Sequence, residues 1–228
     1  MEGKLIVFEG VEGSGKSTQI LRLQKWLQAH VGFQQLQAQG IIPELITTRE
    51  PGGTALGKAL RSLLLASQLS APVGALAELL LYTADRTQHV EEIILPALKA
   101  GSWILCDRFI DSTVAYQGYG RGLSLSLIEQ LNHIAIQSIP YHLTLWLQIK
   151  AEVGLNRSRS RGKLDRIEQA SLAFHERVQQ GFETLAKQHP ERIMPIDATP
   201  SEEAVAQQIQ AVIEQHLHAW YGKHLQAY

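Results

Sequence analysis

The sequence predicts an α/β fold in which a parallel β-sheet is flanked by helices on both faces. Five short apolar or β-branched runs have the length of buried strands, and longer stretches with helical periodicity separate them. Strands that alternate with helices form parallel βαβ units, whose helices cover both faces of the sheet. The predicted strands are Lys4–Phe8, Leu45–Thr48, Trp103–Asp107, Leu143–Ile149 and Arg192–Ile196.

Six stretches carry the apolar spacing of amphipathic helices. They are Ser17–Ala29, Thr54–Leu65, Leu76–Lys99, Leu123–Gln137, Ile167–Gln188 and Ser201–Trp220. Start signals support two of them. Thr199 is a candidate N-cap, with Pro200 at the first helical position and Glu202 three residues beyond the cap. Ser126 and Glu129 have the same capping spacing, which would begin the fourth helix later than the periodicity does.

Length and composition indicate one globular domain over residues 1–228. Of the 228 residues 45% are hydrophobic and 19% are charged, which is ordinary for a folded α/β domain. The glutamine-rich stretch 34–40 is interpreted as a surface loop or a helix extension. Neither this stretch nor the tail 220–228 is long enough to form a second domain.

Charge and cysteine content restrict the function classes. A formal net charge of −1 gives no support for broad capture of nucleic acid, which needs a basic face. The single cysteine, Cys106, excludes an internal disulfide framework and fits a reducing compartment. Apolar runs are too short to span a membrane, and the N-terminus lacks the pattern of a signal peptide. We therefore expect a cytoplasmic protein without nucleic-acid or membrane partners.

The strongest functional signal is a phosphate-binding motif between the first predicted strand and the first predicted helix. Residues 10–17 match G-x-x-x-x-G-K-[ST], in which glycines turn backbone N–H groups toward phosphate oxygens. Lys16 can reach the β- and γ-phosphates, and the Ser17 hydroxyl can bind Mg²⁺. The alternative is an ordinary glycine-rich turn. The predicted ATP-binding residues are Gly10, Val11, Glu12, Gly13, Ser14, Gly15, Lys16, Ser17 and Thr18.

A second pair of candidates ends the strand Trp103–Asp107. Parallel strands present their carboxyl ends to one crevice, so Asp107 and Arg108 are expected to face the phosphate-binding loop. Asp107 can then support the metal together with Ser17, while Arg108 can hold the phosphate of an acceptor. The alternative is a surface ion pair, which contributes little.

The chain resembles the thymidylate kinases, and most closely the bacterial form that carries catalytic arginines in a lid. The segments that carry the resemblance are 8–18, 48–54, 107–109, 112–118 and 162–168, which read FEGVEGSGKST, TREPGGT, DRF, STVAYQG and GKLDRIE. The resemblance implies the P-loop nucleoside monophosphate kinase fold with a five-stranded parallel sheet. It also implies transfer of the γ-phosphoryl group of ATP to dTMP with Mg²⁺, and a homodimer.

The resemblance assigns roles around the acceptor. Arg49 and Arg108 would hold its phosphate, and Glu12 would contact the 3′-hydroxyl of its sugar. Tyr82 would stack on thymine and Arg86, four residues later on the same helix face, would bind its carbonyl edge. The alternative for this pair is a tyrosine packed in the core beside a solvated arginine.

Three further residues complete the acceptor site that the resemblance implies. Thr113 and Gln117 would line the base pocket. Tyr116 would lie against C2′ of the sugar and disfavour a ribose hydroxyl.

A basic run at 157–163 is predicted to belong to a mobile lid at about residues 154–168. On a helix Arg157 and Arg161 share one face, so these two join Lys16 and Arg108 as the predicted catalytic residues. The alternatives are a solvated helix face or a nucleic-acid patch. Asp165 and Glu168 have capping spacing and can simply begin the next helix.

Two other functions remain open from the sequence. One is a kinase for another (deoxy)nucleoside monophosphate or for a deoxynucleoside, although the pair Arg49 and Arg108 favours a monophosphate acceptor. The other is a GTPase-like switch or a non-catalytic nucleotide sensor. The chain has no Asn-Lys-x-Asp guanine-reading segment, which disfavours the switch.

Overall fold

A computed structural model describes residues 3–66, 71–137, 139–160, 162 and 164–225. Its sheet has five parallel strands in the order β2–β3–β1–β4–β5, which confirms the predicted fold class. Each observed strand lies within one residue of its prediction at either end. The strands are β1 Lys4–Glu9, β2 Leu45–Arg49, β3 Trp103–Asp107, β4 Leu143–Gln148 and β5 Ile193–Asp197.

The sheet is buried on both faces because successive side chains of a strand point in opposite directions. In β1, Ile6 and Phe8 belong to one apolar cluster and Leu5 and Val7 to another. The helices are α1 Lys16–Ala29, α2 Val31–Ala38, α3 Ala55–Leu65, α4 Ala75–His89, α5 Leu95–Lys99, α6 Ile110–Thr113, α7 Leu125–Ile136, α8 Ala151–Ser160, α9 Leu172–Gln188 and α10 Glu202–Tyr221. Within the described ranges, no helix has the length and apolar character needed to cross a bilayer.

The predicted helix Leu76–Lys99 is divided by a π-helical turn at Val90–Ile94. Pro96 has no N–H to donate to the carbonyl four residues earlier, and the preceding turn widens. The N–H of Leu95 accordingly donates to the carbonyl of Val90. A second π-helical segment, Val114–Gly120, follows α6 in a region for which no helix was predicted.

Two predicted caps are wrong. The Thr199 hydroxyl and N–H both donate to Asp197 Oδ1, at 2.6 and 2.9 Å, so Thr199 closes a turn after β5 instead of capping a helix. Ser201 caps α10 by accepting from the Ala204 N–H at 3.3 Å. Similarly Ser124, not Ser126, caps α7.

The glutamine-rich stretch contributes to a short helix, α2. The imidazole of His30 caps it by accepting from the Phe33 N–H at 3.2 Å. Phe33 and Leu36 are fully buried and anchor α2 on the core, whereas Gln34 is exposed and Gln35 and Gln37 are half-buried. The predicted helix Ile167–Gln188 begins later than expected, at Leu172, with Ser171 as its cap.

Candidate active site

The phosphate-binding loop, residues 10–17, connects β1 to α1. Gly13 and Gly15 have φ values of 68° and 95°, which an L side chain disfavours, so the tight turn depends on glycine at both positions. The Lys16 ammonium lies against the loop and donates to the carbonyls of Gly10 and Val11, both at 3.0 Å. Burial and the nearby Arg108 lower the pKa of Lys16 to about 8.

Ser17 and Asp107 meet at the mouth of this loop. The Ser17 hydroxyl donates to Asp107 Oδ2 at 3.0 Å. A hydroxyl and one carboxylate suit Mg²⁺, which usually takes one or two protein oxygens and completes its octahedron with phosphates and water. The described residues contain no group of three or more His, Cys, Asp or Glu side chains arranged for a metal.

Arg108 lies between the phosphate-binding loop and a second cavity. Its backbone has φ 70°, a left-handed conformation that is unusual for arginine. The guanidinium donates to the Gly10 carbonyl at 3.0 Å, to the Ser112 hydroxyl at 3.2 Å and to Glu12 Oε1 at 2.6 Å. Burial opposes ionisation of Glu12, but the charges of Arg108 and Lys16 hold its pKa at about 2.

Glu9, the last residue of β1, supports the unusual backbone after β3. Its carboxylate accepts from the Phe109 N–H at 2.8 Å and from the N–H and hydroxyl of Ser112 at 3.0 and 2.5 Å. It is fully buried, and burial together with Asp111 raises its pKa to about 7. Sequence reasoning missed Glu9 because its hydrogen-bond partners Phe109 and Ser112 lie 100 and 103 residues later in the chain.

The raised pKa of Glu9 predicts a pH-dependent stability. The folded pKa of about 7 exceeds the ordinary value of 4.5, so the native state holds the proton more tightly and stability falls as pH rises. Relative to the variant Glu9→Gln, the free energy of unfolding of the wild type is expected to fall by up to about 3 kcal/mol as the pH rises from about 4.5 to 7. Urea unfolding at several pH values measures this difference. Glu44→Gln, at an exposed position, is the control, and a pH-independent difference for E9Q would contradict the assignment.

The second cavity, of about 560 Å³, brings together the predicted acceptor-binding residues except Arg49. Tyr82 and Arg86 of α4 line it together with Thr113, Tyr116 and Gln117. Asp165 and Ile167, which lie near the C-terminal end of the predicted lid, also line it. This cavity is called the acceptor cavity below.

Arg86 is buried, with 2% of its surface exposed, so the alternative of a solvated arginine is wrong. Among the described residues, four of its five N–H groups find acceptors: they donate to Glu50, Thr113, Asn132 and the Phe109 carbonyl, at 2.7 to 3.0 Å. The guanidinium is therefore held rigidly, with one N–H of Nη2 left for a ligand.

A cleft of about 760 Å³ adjoins the acceptor cavity and contains residues that were predicted to bind phosphate. It is called the phosphate cleft below. Lys16, Ser17, Asp107 and Arg108 line it, and so does Arg49, which is exposed there. Arg61 lines both cavities. Sequence reasoning missed Arg61, because it lies on an otherwise ordinary amphipathic helix.

The predicted lid arginines are not all brought to this cleft. Arg157 lines a separate cavity of about 960 Å³ behind the loop, and its guanidinium donates to the Ala198 carbonyl at 3.1 Å. Arg159 donates to Asn156 at 3.2 Å. Arg161 lies outside the described residues.

Asp165 and Glu168 form the reciprocal capping contacts that their spacing predicts. Asp165 Oδ1 accepts from the N–H of Ile167 and of Glu168, both at 2.9 Å, and Glu168 Oε2 accepts from the Asp165 N–H at 3.0 Å. The capped segment is only a turn, and α9 begins after it.

Comparison with known proteins identifies this arrangement. The family model described as thymidylate kinase matches residues 8–209. The chain belongs to the thymidylate kinase family. A thymidylate kinase of Cyanothece sp. strain PCC 7425 is 54% identical over 228 residues, covering 97% of each chain. One from Trichodesmium erythraeum is 55% identical over 223 residues, covering 96% of this chain and 99% of the relative.

A solved structure extends the similarity to three dimensions. The crystal structure of thymidylate kinase from Ehrlichia chaffeensis matches with a TM-score of 0.73 and 32% identity, covering 93% of this chain and 100% of that one. The predicted resemblance is thereby confirmed, and with it the assignment of the chain as a nucleotide-binding kinase.

Proposed function

We propose that the protein transfers the γ-phosphoryl group of ATP to dTMP, giving dTDP for dTTP synthesis. The main support for this proposal is the position of Arg108, which lines both the acceptor cavity and the phosphate cleft. A donor phosphate above Lys16 and an acceptor phosphate beside Arg108 would therefore meet at one point, as phosphoryl transfer requires.

In this function the residues of the cleft act by charge and position. An oxygen of the acceptor phosphate attacks the γ-phosphorus, and the bond to the β,γ-bridging oxygen breaks. Lys16, Arg49 and Arg108 supply fixed positive charge around the crowded phosphates. Ser17 and Asp107 would hold Mg²⁺, which neutralises phosphate charge when bound.

The acceptor cavity suits a deoxythymidine. Tyr82 offers a stacking face, while Arg86, Thr113 and Gln117 offer polar groups to the base edge. The Tyr116 hydroxyl donates to Glu12 at 2.9 Å. This contact holds the ring where it would exclude a ribose 2′-hydroxyl and leaves Glu12 available to the 3′-hydroxyl.

We propose that the lid, at about residues 154–168, places the positive charges of Arg157 and Arg161 near the transferred phosphoryl group in the transition state. Arg157 lines a cavity beside the loop together with Gly13 and Gly15, which supports its assignment to the donor side. Separate alanine substitutions are expected to lower kcat about 10²-fold. Steady-state kinetics checks this, and an unchanged kcat in both variants would remove the lid arginines from the mechanism.

A coupled assay with ATP and a panel of dTMP, dUMP, UMP, dCMP and thymidine tests the function. We expect dTMP to be the preferred acceptor. Turnover of thymidine but not dTMP would overturn the proposal, and ATP binding without any turnover would favour the sensor. We further propose a cytoplasmic homodimer, as the family resemblance implies, and sedimentation of the protein tests the dimer.

A further inference from the structure

A buried carboxylate outside the roles assigned above adjoins the acceptor cavity. Glu78, in the first turn of α4, has no solvent exposure. It accepts from Gln117 Nε2 at 2.8 Å, from Nε and Nη2 of Arg121 at 3.2 Å each, and from Nη2 of Arg166 at 2.5 Å. Glu78 thus joins α4 to the second π-helical segment and to the capped turn that contains Arg166.

The charges around Glu78 determine which end of the Gln117 amide faces Glu78. Burial opposes ionisation of Glu78, yet hydrogen bonds from Arg121, Gln117 and Arg166 lower its pKa below the ordinary value. An ionised carboxylate can only accept hydrogen bonds, so Gln117 must present its Nε2 to Glu78. Its carbonyl oxygen, Oε1, then points away from the carboxylate.

That oxygen is left for a ligand. Gln117 lines the acceptor cavity, although only 2% of the residue is exposed. Within the part of the chain that the structure describes, Oε1 accepts no hydrogen bond, and it is not among the fully buried atoms that lack a partner. A group bound in the cavity can therefore donate to Oε1.

We propose that Glu78 is a positioning residue that locks the Gln117 carbonyl oxygen toward the base, and so selects pyrimidines whose N3 carries a hydrogen. This inference rests on the proposed function. Thymine and uracil have a donor at N3, whereas cytosine has an acceptor there. A fixed oxygen opposite N3 therefore favours the first two and leaves two acceptors facing each other in the third.

The variant Glu78→Gln reverses this arrangement. Two guanidinium nitrogens, from Arg121 and Arg166, converge on Glu78 Oε2, and they would keep the amide oxygen of the new side chain at that position. Its NH₂ group then faces Gln117, whose amide turns over and directs Nε2 toward the base. A donor in the cavity suits the N3 of cytosine instead of thymine.

The experiment compares dTMP, dUMP and dCMP as acceptors for the wild type and E78Q. We expect the dTMP-to-dCMP ratio of kcat/KM to fall about tenfold or more. The dTMP-to-dUMP ratio of kcat/KM is expected to stay unchanged, because both bases carry the N3 hydrogen. The KM for ATP is also expected to stay unchanged. Where dCMP turns over too slowly, its inhibition constant against dTMP replaces kcat/KM. An unchanged dTMP-to-dCMP ratio would overturn the proposal.

A double-mutant cycle tests whether Glu78 acts through Gln117. In a Gln117→Ala background, E78Q is expected to change the dTMP-to-dCMP ratio no further, because the amide it turns is gone. An equal effect in both backgrounds would contradict the proposal. Failure of the wild type to phosphorylate dTMP would instead overturn the proposed function and leave these ratios undefined.

Two other variants separate positioning from stability. Asp111→Asn breaks a comparable buried pair, in which Arg192 donates to both carboxylate oxygens at 2.7 and 2.8 Å. It is expected to lower the melting temperature while keeping the wild-type dTMP-to-dCMP ratio. Should E78Q fail to fold, Glu78→Asp keeps the charge but withdraws it from Gln117, and the ratio is again expected to fall. A folded E78D with the wild-type ratio would overturn the proposal.

Discussion

Arg108→Ala is expected to lower kcat/KM for dTMP by about 10³-fold, with most of the loss in kcat. The guanidinium lies where the acceptor cavity meets the phosphate cleft. Its charge therefore acts on both the donor phosphate and the acceptor phosphate as they approach each other. That charge matters most in the transition state, when negative charge is concentrated between donor and acceptor.

The loss has a second source in Glu12. Arg108 donates to Glu12 Oε1 at 2.6 Å, and the carboxylate stays ionised mainly because of this neighbour. Without Arg108, burial would favour the protonated form of Glu12, and the guanidinium would no longer hold this side chain in place. Arg108→Lys keeps the charge but not the planar fork, so we expect an intermediate activity.

Steady-state kinetics of R108A and R108K, with circular dichroism to confirm the fold, checks the prediction. Arg22→Ala is the matched control, because Arg22 pairs with Glu202 and Glu203 on the surface and such pairs contribute little. A kcat of R108A within about threefold of the wild type would contradict the role given to Arg108.

The parallel sheet could be predicted from the sequence because its signal is local. Buried strands read as continuous apolar runs, and the loop after β1 carries its own motif. In the observed register Phe8 of β1 lies opposite Asp107 of β3, which brings Asp107 beside the loop. This is why the candidates Ser17 and Asp107 were found as a pair.

The helical segments were predicted less well, for reasons that lie in their hydrogen bonds. The turns at Val90–Ile94 and Val114–Gly120 have π-helical bonding, which a periodicity of 3.6 residues does not reveal. Helix α2 was missed because it contacts the core through two large apolar residues, Phe33 and Leu36. The glutamines around them leave too weak an apolar pattern to predict a separate helix.

The site residues that escaped prediction act through contacts between distant segments. Arg86 was predicted from the family resemblance, but its burial depends on Glu50 and Asn132, 36 and 46 residues away in sequence. Glu78 shows no local signal at all, since its partners come from later segments. Such residues look like ordinary helix positions until the tertiary structure brings the partners together.

Gly154→Ala is expected to lower the affinity for ATP by about tenfold or more and the free energy of unfolding by about 1–3 kcal/mol. Gly154 is in the first turn of α8, and a Cβ there would lie 2.2 Å from the Glu12 carbonyl oxygen. A Cβ at Gly13 would meet the Gly154 carbonyl oxygen at 2.0 Å. The phosphate-binding loop and helix α8 therefore touch backbone to backbone.

The methyl group must push α8 and the loop apart, because neither contacting atom belongs to a flexible side chain. Alanine is the better helix former by roughly 1 kcal/mol, so propensity alone would predict a more stable protein. A measured loss of stability therefore reports the clash. Calorimetric titration with ATP and urea unfolding give the two quantities.

Gly74→Ala provides the matched control. Gly74 precedes α4 with φ −63°, and among the described residues no neighbouring atom lies within 4 Å of the position that an alanine methyl group would occupy. The same substitution there meets open space, so we expect ATP affinity to be unchanged in G74A. If G154A also bound ATP like the wild type, the contact between the loop and α8 would not position the donor site, and the proposed lid would act independently of the loop.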